Sequence, residues 1–173
     1  MVPYGYVPDP GSRRGTFIVY DTFDHQAEKF TLRLLSFALD RRFRKWVGYV
    51  LSEATLKRMK LSADKPYYKR IDELGEILED YRNRDESGLQ VSIDNFEDKR
   101  GKYTPFEMTM RFLQDKYDGP IFIAMRKDTA NRLAQFGALD PWIREVRFVL
   151  IGTTQDEAHP MLQAKANRWE WYM

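Results

Sequence analysis

Arg41-Arg42-Phe43-Arg44-Lys45-Trp46-Val47-Gly48-Tyr49-Val50-Leu51 is the stretch on which the architecture turns. Read as helix, it extends a stripe through Leu35, Leu39, Phe43, Trp46 or Val47, Val50 and Ala54, and one long helix runs to residue 60. Gly48 weakens that helix by about 1 kcal/mol relative to alanine. Read as strand, Trp46 to Leu51 pairs into a sheet, and Ser52 caps a short helix to about Met59. The helix is the preferred reading, because Arg and Lys lead into the stretch without a turn residue.

Upstream, Gly15 precedes Thr16-Phe17-Ile18-Val19-Tyr20, a β-branched and aromatic run that reads as a strand. Asp24 is placed to cap a helix from about His25 to Arg44. Downstream, Pro66 opens an amphipathic helix through Tyr67, Ile71, Leu74, Leu78 and Tyr81, with acidic residues outward. Leu89 to Ile93 alternates as a strand, and Asp94 to Lys102 reads as a charged loop. Thr104-Pro105-Phe106-Glu107 has the spacing of a capping box, and its helix runs to about Tyr117. Ile121 to Met125 is apolar on both faces and reads as a central strand. A helix beginning at Asp128 follows, then a buried strand over Val146 to Ile151 and a last helix over 160–169.

Strands alternating with helices predict a single α/β domain over 16–173. Its sheet has 4–5 strands, largely parallel or mixed, with helices on both faces; an α+β arrangement is the alternative. Residues 1–15 hold three prolines and read as an extended arm whose Tyr4 and Tyr6 lie against the domain or a partner. The arm has no apolar core of a secretory signal. The chain has 173 residues, 43% of them hydrophobic and 31% charged, as in ordinary globular proteins. No apolar run approaches the roughly 20 residues of a membrane helix, so no membrane partner is expected. Absence of cysteine excludes a disulfide scaffold and thiolate metal sites, and suits a cytoplasmic location.

Net charge is only +2, but it is unevenly spread. Residues 41–70 carry ten Lys/Arg against two acids, and residues 71–100 carry ten acids against four Lys/Arg. The two segments can neutralise each other or orient a charged partner. Basic residues interleaved with aromatics around Arg41, Arg42, Arg44, Lys45, Lys57, Arg58 and Lys60 suit an acidic protein surface or nucleic acid. A solvated helix face is the plainer account. The C-terminal Trp169, Trp171 and Tyr172 either close the core or fill a partner's groove.

Glycine-rich phosphate loops, nucleophile elbows and paired zinc histidines are absent from the sequence. In a parallel sheet the loops after the strand ends share one edge. Asp21, Asp24 and His25, then Asp94, Glu97 and Asp98, then Arg126, Lys127 and Asp128, then Thr153, Thr154 and Asp156 belong there. Asp21 and Asp94 are candidate Mg²⁺ ligands with Lys127 beside a phosphate, the pattern of a metal-dependent phosphodiesterase or nuclease. Aspartate is equally the expected turn and cap residue after a strand. The leading expectation is therefore a non-enzymatic interaction protein (an adaptor, an inhibitor or an immunity-type protein). It would bind a protein partner through the basic segment and the aromatic ends. Nucleic-acid binding without catalysis is a further alternative, and no cofactor is expected outside the Mg²⁺ reading.

Overall fold

A computed structural model describes residues 14–152 and 158–172. Tyr4, Tyr6 and the loop residues Thr153, Thr154 and Asp156 lie outside the described residues. The chain runs β1 (Arg14–Asp21), α1 (Ala27–Asp40), β2 (Phe43–Val50), α2 (Glu53–Arg58), α3 (Tyr67–Arg84) and β3 (Gln90–Asp94). It continues through α4 (Phe96–Arg100), α5 (Phe106–Lys116), β4 (Ile121–Arg126), α6 (Lys127–Gln135), β5 (Arg147–Ile151), α7 (Pro160–Ala164) and β6 (Trp169–Tyr172). The six strands form one sheet in the order β3-β2-β1-β4-β5-β6, and every pairing is parallel. The α/β expectation holds; among the described residues the sheet has one strand more than the upper count and no antiparallel strand to make it mixed.

Each central strand is apolar on both faces because both faces are covered. Ile18, Tyr20, Val47, Tyr49, Ile123 and Leu150 pack beneath α2, α5, α6 and α7. Phe17, Val19, Trp46, Ala124 and Val149 pack beneath α1 and α3 on the other face. That two-sided burial decides the 41–51 stretch. Residues 43–50 are strand, and the long helix through Gly48 does not form. Arg42 adopts a left-handed backbone (φ 62°) and ends α1 at the turn that sequence reading did not see. Gly48 faces α3 so closely that a Cβ there would lie 2.9 Å from Leu74 Cδ2. A glycine that looked like a weak helix residue is in fact the site of strand–helix contact.

Several boundaries shift for local reasons. α1 begins at Ala27 rather than His25, with Gln26 at its amino end in a left-handed conformation. Asp24 instead accepts the amides of Asp64 and Lys65 at 2.7 and 3.2 Å. The Thr104 capping box is not made: Thr104 Oγ1 accepts from Arg100 Nε, and α5 starts without a side-chain cap. The charged 94–102 segment contains the one-turn α4. The expected last helix stops at Ala164, and the aromatic end becomes edge strand β6 beside β5. Among the described residues no helix is long and apolar enough to cross a membrane.

Candidate functional site

β1 and β4 are neighbours, but the chain leaves them on opposite faces. β1 leads to α1 on one face, and β4 leads to α6 on the other. Such a switch point opens a crevice beyond the carboxyl ends of the strands, where ligands of doubly wound sheets bind. Here it is an open crevice of about 370 Å³. Its walls come from the β1–α1 turn, the first turns of α1, Ser62 and the last residue of β4, Arg126.

The crevice carries a net positive charge: Lys29, Arg33 and Arg126 line it against the single carboxylate of Asp24. Lys29 and Arg33 are four residues apart on α1 and so share a helix face. Arg126 donates through Nε to Asp21 Oδ1 at 3.0 Å, and its guanidinium lies 4.1 Å from the Phe30 ring centroid. With Nε committed, a bidentate anion would use the terminal nitrogens of the fork. Asp21 is 1% exposed; burial pushes its carboxyl above the ordinary value, while Arg126 and the Phe23 amide pull it back. His25 Nε2 lies 2.6 Å from Asp64 Oδ2 and 3.6 Å from Asp24 Oδ2. Asp24, His25 and Asp64 form an acid–histidine group of metal-ligating types. Asp24 is already satisfied by two amides, and His25 and Asp64 are exposed, so the group reads as a loop clasp.

The β1–α1 turn, Asp21 to Gln26, contains no glycine. Phe23 and Gln26 nevertheless take left-handed backbones (φ 55° and 51°). The Phe23 ring anchors the turn, packing edge-on against Phe30 and Trp46. Arg70, which sequence reading passed over, holds this edge together from inside. It is 0% exposed, with NH1 on the Thr22 and Leu51 carbonyls, Nε on the Lys65 carbonyl and NH2 on Glu53. The signal for it was weak: one arginine on the apolar side of a helix, one turn after its start.

The carboxylates proposed from sequence are not brought together. Asp21 projects toward α1. Asp94 projects to the other face, where it accepts from Tyr117 OH at 2.8 Å and Lys116 Nζ at 3.0 Å. The intervening strand β2 separates them by roughly 10 Å as well. One cation cannot bridge them. Lys127 starts α6, on the face away from the α1 crevice.

The basic segment is also divided. Arg41 makes a two-point pair with Glu170 of β6 at 2.9 and 3.2 Å. Arg42, Arg44 and Lys45 stand at the beginning of β2, and Lys57, Arg58 and Lys60 follow its end. The strand that lies between these groups is roughly 23 Å long. Trp169 is buried with Nε1 on the Leu162 carbonyl, Trp171 packs against the same core, and Tyr172 packs on Phe37. No protein-family model matches this chain, and no curated protein matches it.

Proposed function

We propose that this protein binds a small phosphorylated molecule, of the size of a nucleoside monophosphate or a sugar phosphate, in the switch-point crevice. The observation that carries the reading is the convergence of Lys29, Arg33 and Arg126 on one concavity at the reversal of strand order. The fourteen-residue α1 adds the partial positive charge of its amino end at the same place. Dinucleotide-binding folds of this strand order bring a glycine-rich turn against the pyrophosphate. This turn has none, so the phosphate would be met by long side chains and sit farther from the backbone. A single phosphate suits that arrangement better than a pyrophosphate laid along the loop. Strand order alone does not fix a ligand, so the argument rests on the side chains.

The alternative of an interaction protein has the exposed Arg42, Arg44, Lys57, Arg58 and Lys60 in its favour. Those cations lie at two ends of β2, whereas the crevice cations converge, and convergence is what a small dianion requires.

Calorimetric titration with AMP, ribose 5-phosphate and adenosine tests the reading. AMP and ribose 5-phosphate should bind, adenosine should not, and added salt should weaken binding. Lys29→Ala with Arg33→Ala, or Arg126→Met alone, should lower AMP affinity about tenfold or more. Failure of both phosphates to bind the unmodified chain at millimolar concentration would dismiss the proposal.

A further inference from the structure

On the opposite face of the same sheet edge lies a second cavity, of about 280 Å³, between α2, the segment before α5, and α6. Its walls are largely apolar and aromatic: Met59, Phe106, Leu133 and Phe136, with Tyr103 at the rim. Two lining threonines are already engaged. Thr55 Oγ1 accepts from the Thr104 amide at 3.1 Å, and Thr104 Oγ1 accepts from Arg100 and donates to the Lys102 carbonyl. Two other polar groups are under-used.

The first is the Tyr20 hydroxyl. Tyr20 is 1% exposed, and its hydroxyl donates only to Met59 Sδ at 3.8 Å. A thioether is a weak acceptor, so this buried donor gains little where it stands. Tyr20 and Met59 both line the cavity, which places the hydroxyl at its wall. The second is Arg58. Its guanidinium rests 4.4 Å from the Tyr103 ring centroid and, among the described residues, forms no ion pair. No carboxylate lines the cavity. Glu97 is the nearby buried acid, and it is turned onto Tyr49 OH and the Ser52 amide at 2.9 and 2.8 Å.

The geometry points to a second ligand site here, for a small aromatic carboxylate: the ring enters between Phe106, Leu133 and Phe136, the acid meets Arg58, and a ring or side-chain acceptor takes the Tyr20 hydroxyl. The size is right for one ring system with a short acid, just under the roughly 300 Å³ where drug-sized pockets begin. Aromatic walls with a few placed polar groups are what such ligands use for affinity and orientation. The site shares no lining residue with the phosphate crevice, so the two readings stand or fall separately.

The test is calorimetric titration of the full chain with 4-hydroxyphenylacetate, whose phenol oxygen can accept from Tyr20, and with its neutral counterpart, 4-hydroxyphenylacetamide. The acid should bind with sub-millimolar affinity and about tenfold more tightly than the amide. Arg58→Met should erase that preference while keeping the amide's affinity. Tyr20→Phe should weaken both ligands about threefold. Ala138→Trp, at the cavity wall, should abolish both. Lys29→Ala with Arg33→Ala should change neither. Unchanged thermal unfolding of Arg58→Met and Tyr20→Phe keeps the comparison one of binding. Absence of binding to the unmodified chain, equal binding of acid and amide, or an acid preference that survives Arg58→Met would each overturn the assignment.

Discussion

Arg126 Nε donates to Asp21 Oδ1 at 3.0 Å, and this bond joins β4 to β1 at the place where the chain departs toward opposite faces of the sheet. The carboxylate is buried and the guanidinium is 44% exposed. Asp21 therefore acts as an anchor, and Arg126 carries its free edge to the crevice. The first prediction follows from that asymmetry.

Asp21→Asn should lower stability by about 1 kcal/mol, a modest loss because water still reaches the arginine. It should also weaken AMP binding, although Asp21 is not among the crevice-lining residues. Urea unfolding and titration on the same variant separate the two effects. Lost stability with unaltered AMP affinity would show that the pair does not position Arg126.

Arg70→Met should be severe, costing about 3–5 kcal/mol in denaturant unfolding. Its removal leaves the buried Leu51 carbonyl and the partly buried carbonyls of Thr22 and Lys65 without their donor. Arg70→Lys should recover little, since one ammonium cannot span three carbonyls lying in different directions. A lysine variant as stable as the parent would refute the account of Arg70 as the clasp of this edge.

Glu97 predicts a particular dependence of stability on pH. Burial pushes its carboxyl above the ordinary value, against the hydrogen bonds from the Ser52 amide and Tyr49 that oppose the rise. The folded chain therefore holds this proton more tightly than the unfolded chain. The group's contribution is fully favourable below the ordinary glutamate value. It declines as pH rises from there through the raised folded value, and stays constant above it. Glu97→Gln should remove that decline. Unfolding free energies of both proteins across the acid range, taken as a difference, cancel the other carboxylates. A flat difference would contradict the burial-driven shift.

Trp169→Ala should destabilise by about 3–5 kcal/mol, as expected of a buried tryptophan in a paired strand. It empties core space beside Leu162 and deletes the 2.6 Å bond to the Leu162 carbonyl. A tail serving only to engage a partner would leave thermal unfolding unmoved. The melt thus discriminates strand β6 from a docking arm.

Much of the fold was legible before the structure. Ile121–Met125 and Phe148–Ile151 read as buried strands because they are apolar at successive positions, which requires cover on both sides. The helix over Tyr67–Arg84 was legible because an apolar stripe and an acidic outer face coincide at helical spacing. The 43–50 strand was misread, since Phe43, Trp46, Val47 and Val50 fit a helical stripe as well as a strand covered on both faces. The crevice was only partly visible. Lys29 and Arg33 look like ordinary helix-surface charges until strand order places them.

Local chemistry in the sequence was sufficient for the α/β class and for the positions of most elements. Periodicity and turn residues act within a few positions of one another, so a linear reading carries them. Strand order, the separation of Asp21 from Asp94 by face, and the meeting of Arg126 with α1 were decided by tertiary structure alone. They depend on which strands lie side by side and which face each crossover covers. Those are long-range choices made by the burial of two whole sheet faces, and no single segment encodes them.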